Sequence, residues 1–235
     1  METSLCQKLI TDTENNRVIQ GTLTYKVVEA IIISFSGIDG SRKTTYAQKI
    51  ATALYDRGYK SEYCKPDYVV NGIIKKYCEN QFGDPFSYIP NINGNVYIYG
   101  ILIDWLDTFN KKLQNHSDKI LVLDRYVYDI LAQGLHYNAD IEPMIKLIPH
   151  FSQPTISYFI DIEPIEAYQR LKERLSPPIH HLESLDNLQI LNKCYSEVFS
   201  RINWNRTHIS AGMSIEEILT LLISEFNDLL SNYER

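Results

Sequence analysis

The chain has no C-x-x-C pair. Its four cysteines, Cys6, Cys64, Cys78 and Cys194, are scattered, so neither a disulfide framework nor a thiolate zinc site is indicated, and reduced thiols are the expectation. A run of about 18 apolar residues, the length a spanning helix needs, occurs nowhere, and no apolar core follows a basic N-terminus. Lys/Arg-rich runs are also missing, and the net charge is −6, which leaves no general attraction for nucleic acid. Internal repeats and linkers are absent. These absences lead to the expectation of a cytoplasmic protein with neither membrane nor nucleic-acid partners, in which any recognition of phosphate must be local.

What is present is an ordinary globular composition, 44% hydrophobic and 22% charged over 235 residues, enough for one α/β domain with a substantial core. Its most informative stretch is Ile31-Ile32-Ile33-Ser34-Phe35-Ser36-Gly37-Ile38-Asp39-Gly40-Ser41-Arg42-Lys43-Thr44-Thr45. This reads as a buried strand, a Gly-containing loop and a helix start. Backbone N–H groups of such a loop curl round an anion, the helix presents its positive dipole end, Lys43 adds a full charge and Thr44 offers a hydroxyl to Mg²⁺. Gly37, Lys43 and Thr44 fit the phosphate-loop pattern G-x-x-x-x-G-K-[ST], while Arg42 stands where the second glycine belongs. The competing reading is a Ser/Thr-rich strand-to-helix turn without a ligand.

Along the chain, residues 1–29 read as an extension with a small hairpin around Gln20-Gly21, and residues 30–235 as the domain proper. Strands are expected at 31–36, 60–65, 119–123, 155–161 and 207–210. Helices are expected at 44–57, 69–78, 93–113, 185–201 and 214–230, with further helical segments after 126 and 164. Pro164 suits a first helical turn, and Ser214 with Glu217 forms a capping box. Strands alternating with helices imply a three-layer α/β sandwich on a parallel, five-stranded sheet, whose ligand sits beyond the carboxyl ends of the strands. Asp39, Lys65, Asp124 and Asp161 fall at such ends.

Asp124-Arg125-Tyr126 is the second informative site. A carboxylate there can hold Mg²⁺ or its waters, and a guanidinium fork can bind phosphate oxygens. Taken alone, the tripeptide reads more readily as a surface ion pair with a packing tyrosine; the phosphate loop upstream reverses that preference.

With both motifs in order, the chain resembles the thymidylate kinase family of P-loop nucleoside monophosphate kinases. The 35–45 loop resembles that family's phosphate loop, and Asp124-Arg125-Tyr126 followed by Ala132 resembles its D-R-Y motif. Residues 158–174 are similar to its fourth strand and the helix before its lid, with Leu182-Glu183 and Tyr195 beyond. The resemblance implies transfer of the ATP γ-phosphate to dTMP, with Mg²⁺, in a homodimer. It implies ATP binding by Gly37, Asp39, Gly40, Ser41, Arg42, Lys43, Thr44 and Thr45, metal binding by Thr44 and Asp124, and catalytic roles for Lys43, Asp124, Arg125 and the lid arginine Arg174. Acceptor contacts fall to Asp39, Lys65, Tyr99, Arg125, Tyr126 and Asp129.

Several positions depart from the family pattern. Where it has an Arg before Pro on the second strand, the chain reads Cys64-Lys65-Pro66, a point charge in place of a fork. The thymine-reading Arg of the long helix has no counterpart in Ile101-Leu102-Ile103-Asp104-Trp105, and Asp129 replaces a Ser or Asn. A lid is expected near residues 174–184, and it carries Ser176-Pro177-Pro178-Ile179-His180-His181 in place of a charged segment; the two histidines read as inert. The resulting expectation is an ATP-dependent phosphotransferase with a rebuilt acceptor site, acting on a small nucleotide, nucleoside or related metabolite, with dTMP a poor acceptor. An ordinary dTMP kinase with a divergent pocket, or a nucleotide-binding protein with weakened catalysis, are the alternatives.

Overall fold

Five of the six residues of the first strand, Ile31–Ser36, are buried, because this strand lies mid-sheet with a parallel neighbour on each side and helices over both faces. The computed structural model describes residues 31–115, 119–175 and 179–233. The hairpin expected around Gln20-Gly21, and the 1–29 extension that contains it, lie outside the described residues.

The chain runs β1 (Ile31–Ser36), α1 (Lys43–Asp56), β2 (Ser61–Cys64), α2 (Val69–Phe82), a short α3 (Tyr88–Asn91) and the long α4 (Gly94–Asn115). It continues with β3 (Ile120–Asp124), α5 (Val127–His136), α6 (Glu142–Leu147), β4 (Ile156–Asp161), α7 (Pro164–Glu173), α8 (Leu185–Arg201), β5 (Thr207–Ser210) and α9 (Ile215–Tyr233). The five strands form one parallel sheet in the order β2-β3-β1-β4-β5. The expected three-layer α/β architecture is the observed one.

Alternation along the strands divides the core. Ile33, Phe35, Val122 and Ile160 face α1 and α9 through Ala47, Ile50, Leu219 and Leu222. Ile32, Leu121, Leu123 and Phe159 face α4, α5 and α8 through Ile98, Ile130, Leu131 and Tyr195. Because β1 has β3 on one side and β4 on the other, chain connections leave it in opposite directions, and a crevice opens at the carboxyl ends of these three strands.

The two largest departures from the sequence expectation lie between β2 and α4. α2 runs past Cys78 to Phe82, where Gly83 takes a left-handed φ of 76° and donates its N–H to the Glu79 carbonyl; the cap, not the last apolar residue, sets the end. The stretch read as a loop around Pro85 and Pro90 contains α3, kinked at Ile89, the residue before Pro90. The capping box is as expected: Glu217 N–H donates to Ser214 Oγ at 3.2 Å and Ser214 N–H to Glu217 Oε2 at 2.7 Å.

Candidate active site

Beyond Ser36 the chain turns twice and enters α1 at Lys43. At Gly40 φ is 83°, and a Cβ would fall 2.5 Å from the Ala167 carbonyl oxygen, so the loop rests on α7 where only glycine fits. Arg42 adopts φ 75°, the left-handed conformation that glycine would take freely and that costs an arginine about 1–2 kcal/mol. The loop therefore keeps its shape with the glycine replaced. The Arg42 side chain leaves the loop, its Nη1 donating to the Ala211 carbonyl at 3.3 Å.

Lys43 is buried, and its ammonium donates to the Gly37 and Ile38 carbonyls at 2.6 and 2.7 Å, with Asp39 3.7 Å away. Burial, then the Arg125 charge, push this ammonium down to about 8 against the pull of Asp39, Asp129 and Asp124. The cation is folded over its own loop, and phosphate oxygens could replace the two carbonyls. Ser41 is buried, its N–H bonded to the Ile38 carbonyl at 3.2 Å and its Oγ without a partner among the described residues.

The β1–β3 register sets Phe35 opposite Asp124 and so brings the second motif to the loop. Thr44 Oγ1 donates to Asp124 Oδ2 at 2.6 Å, Tyr63 of β2 donates to the same oxygen at 3.0 Å, and Lys65 Nζ lies 3.8 Å from it. Asp124 is 1% exposed, and its Oδ1 has no hydrogen-bond partner among the described residues. An orphaned carboxylate oxygen beside a threonine hydroxyl is a hard-oxygen donor set that fits Mg²⁺. Among the described residues no three His, Cys, Asp or Glu side chains gather to hold a metal, so such an ion would draw its other ligands from water and phosphate.

Arg125 has φ 80°, its N–H held by the Phe35 carbonyl at 3.0 Å. Its Nη2 pairs with Asp39 and its Nη1 lies 3.6 Å from Asp129 Oδ1. Burial pushes the Asp39 carboxyl up, but the Arg125 and Lys43 charges outweigh it and hold the group well below the usual carboxylate range.

Three residues expected at the acceptor are placed elsewhere, and each has a physical reason. Asp129 is the third residue of α5 and is fully buried; its carboxylate folds back onto the Tyr126 N–H at 3.0 Å and accepts from Ser36 Oγ at 2.6 Å and from the Tyr195 hydroxyl at 2.7 Å. A carboxylate at a helix N-terminus is satisfied by that end of the helix, so Asp129 has no oxygen left for an acceptor. Tyr126 is 2% exposed, packs with Phe109, Phe151 and Trp204, and donates to the Ser152 carbonyl at 2.8 Å. Tyr99 donates to the Asp140 carbonyl at 2.7 Å, tying α4 to the start of α6.

Nine of the remaining expected residues line one cleft, and Gly37, Ser41 and Asp124 are not among its lining. A cleft of about 540 Å³ is lined by Asp39, Gly40, Arg42, Lys43, Thr44, Thr45, Lys65 and Arg125, by Arg170, Leu171 and Glu173 of α7, and by Arg174 just beyond it. Six cationic side chains face it against two carboxylates, so a chain of negative net charge carries a locally positive pocket. Arg170 was not singled out in the sequence; the available signal was its place one turn before Arg174, on the same helical face. It pairs with Glu166, and Arg174 pairs with Glu183 at 2.8 Å.

Of the expected lid, residues 176–178 lie outside the described ones. On its far limb the His180 ring stacks on Phe86, centroids 3.9 Å apart and planes at 14°, and His181 lies 3.6 Å from Asp84. Burial pulls the His180 imidazole down, with Glu183 opposing it. His180 thus has a packing role that the sequence reading did not assign it.

A family model described as thymidylate kinase matches residues 93–221, more than half of the chain. The chain belongs to the thymidylate kinase family. The matched segment includes Asp124, Arg125 and Arg174, while the 37–45 loop precedes it. Within this thymidylate kinase family, the chain is 28% identical over 178 residues to a probable thymidylate kinase of Archaeoglobus fulgidus, covering 71% of this chain and 81% of that one. It is 23% identical over 209 residues to the thymidylate kinase of Leptospira borgpetersenii, covering 86% and 98%. Two solved structures share the fold: thymidylate kinase from Ehrlichia chaffeensis, with TM-score 0.57, 18% identity and coverage of 83% and 98%, and deoxyadenosine kinase from M. mycoides, with TM-score 0.58, 17% identity and coverage of 84% and 100%. The protein is a phosphotransferase of the nucleotide kinase type. Among the described residues no helix is long and apolar enough to cross a membrane.

Proposed function

We propose that this protein moves the γ-phosphoryl group of ATP to a small acceptor of the nucleotide or nucleoside class, and that dTMP is a poor acceptor. The observation that carries the reading is the meeting of the phosphate loop with the Asp124-Arg125 corner, where Thr44 and Asp124 lie 2.6 Å apart. Lys43 exchanges its two loop carbonyls for β- and γ-phosphate oxygens. Thr44 and Asp124 hold Mg²⁺, which when bound neutralises charge developing on the phosphates. Arg125 and Asp39 orient the acceptor from the β3 side, and Arg170 and Arg174 approach the transferring group from α7. Arg42 preserves the loop through its left-handed backbone, which speaks against a fold that has lost its nucleotide.

Weak use of dTMP is supported by three placements. The Arg125 fork lies between the Asp39 and Asp129 carboxylates, which compete with an acceptor phosphate. Lys65, the point charge just after β2, lies 3.8 Å from Asp124. On α4, Ile101, Leu102 and Trp105 are buried, and the Asp104 carboxylate accepts the Val70 N–H at 2.7 Å, so the 101–105 segment offers no cation to a thymine carbonyl. The family match favours the second reading, an ordinary dTMP kinase with a divergent pocket. The deciding experiment is steady-state phosphoryl transfer from ATP to dTMP, to cytidine- and adenine-type nucleotides, to the corresponding nucleosides and to non-nucleotide alcohols. Turnover of dTMP near ~10⁴ M⁻¹s⁻¹ or above would establish the second reading.

A homodimer is also proposed. Val69, Ile73 and Tyr77 form an exposed stripe on α2, and Val96 and Ile103 are exposed on the neighbouring α4. An apolar face made by two packed helices is suited to a second copy of itself.

A further inference from the structure

Among the described residues three non-glycines have positive φ, Arg42, Arg125 and Asn138, and two of these are arginines lining the cleft. A strained backbone persists where surrounding contacts hold it, and such strain gathers at ligand sites. The Arg42 contact is with the turn between β5 and α9, through the Ala211 carbonyl at 3.3 Å. Tyr46 on α1 binds the same turn, its hydroxyl 2.8 Å from the Met213 carbonyl and 3.0 Å from that of Ala211. Two residues one helical turn apart thus fasten the 211–213 turn to the helix that follows the phosphate loop.

The sheet order gives this contact a direction. β3, with Asp124 and Arg125, lies on one side of β1, and β4 and β5 lie on the other. Thr44 reaches toward the β3 side at Asp124 and Arg42 toward the β5 side at Ala211. A polyphosphate laid across the loop with its reacting end at Asp124 and Arg125 therefore has its opposite end beside Arg42. A guanidinium has five N–H donors, and the Ala211 carbonyl engages only one nitrogen, so the others remain for phosphate oxygens.

We propose that Arg42 binds the donor at its nucleoside end, on the α-phosphate oxygens, and so governs donor affinity and not the phosphoryl-transfer step. The assignment rests on reading the loop as the ATP site. It also separates Arg42 from a transition-state role: a charge tied to the β5 side is remote from the γ-phosphate, where charge changes during reaction.

Calorimetric titration of the wild-type chain, Arg42→Gly and Arg42→Lys with ATP, ADP and inorganic pyrophosphate, together with steady-state kinetics, tests this. In Arg42→Gly the Kd for ATP and ADP should rise about tenfold, as loss of one charge-assisted contact implies, and the fall in kcat/KM should be carried by KM. Pyrophosphate, which lacks the α-phosphate, should bind as before, and Arg42→Lys should be intermediate. The ligand-free melting temperature of Arg42→Gly should equal or exceed that of the wild type, because glycine takes φ 75° without strain; weaker binding then cannot come from unfolding. An ATP Kd within about twofold of wild type, an equal loss for pyrophosphate, or a fall in kcat at constant KM would each overturn the assignment while leaving the ATP site in place. If the wild-type chain itself fails to bind ATP, the reading of the loop falls with it.

Discussion

The Tyr195 hydroxyl lies 2.7 Å from Asp129 Oδ1 and 2.9 Å from the Gly37 carbonyl oxygen, so α8 is joined to the first residue of the phosphate loop through the N-terminus of α5. Ser36 completes the junction from β1 at 2.6 Å. Phenylalanine at 195 would leave the buried Asp129 carboxylate one donor short, which costs about 1–3 kcal/mol. Urea unfolding of Tyr195→Phe should show a loss in that range; no change in the midpoint would mean that the junction does not hold the loop.

Lys43 is assigned charge stabilisation that is greatest in the transition state, and Asp124 the holding of the Mg²⁺ that would supply it. Lys43→Ala should therefore lower kcat by about 10²-fold or more, the scale of single preorganised electrostatic groups. Asp124→Asn should lose Mg²⁺-dependent turnover to a similar extent while still binding metal-free ATP. Rate measurements across a Mg²⁺ titration check both, and a wild-type kcat in either variant contradicts its assignment.

The lowered Lys43 ammonium has a sign that can be worked out. With a value of about 8 in the folded chain against an ordinary 10.5, the unfolded chain binds more protons at this group between those limits, so its contribution to stability rises with pH through that window. The cost of burying the charge is fully present below about pH 8. ATP phosphates favour the charged ammonium, so binding near pH 8.5 should be accompanied by net proton uptake. Titration calorimetry in two buffers of different ionisation enthalpy reads this directly, and equal enthalpies in both would contradict it; Lys43→Ala should abolish the uptake.

Residues 174–184 are proposed to act as a lid, with the His180–Phe86 stack as a contact made by its far limb. Amide hydrogen exchange at 179–184 should slow in the presence of a non-hydrolysable ATP analogue. Identical exchange with and without the analogue would rule the lid out.

If the stripe on α2 and α4 pairs two copies, a charge placed in it should separate them. Ile73→Asp and Ile103→Asp alter residues that are 64% and 65% exposed, so the monomer fold should tolerate both. Light scattering should report a dimer for the wild type and a monomer for the double variant. A wild-type monomer at micromolar concentration would remove the proposal.

The layer architecture was legible in the sequence because it follows from local patterns. Apolar runs of strand length alternated with helical spacing, and Pro164 and Ser214 marked boundaries through their own chemistry. The phosphate loop was legible for the same reason: strand, Gly37 to Thr44 and helix are contiguous, and their geometry is set by neighbours in the chain. Asp39, Asp124 and Arg125 were found because a parallel sheet gathers strand ends at one rim. Contacts between distant segments were not legible. Whether Asp129 faced a ligand or the interior depended on Ser36 and Tyr195, which lie far from it in sequence and meet it only when β1, α5 and α8 pack. Tyr126 and Tyr99 were assigned by motif and periodicity, yet packing decided which end of each ring found a carbonyl partner. Arg42 shows the division most clearly. Its residue type marked a departure from the loop pattern, but only the folded chain set φ at 75° and placed the guanidinium on Ala211, because the position of β5 beside β4 is a property of the sheet and not of any local stretch.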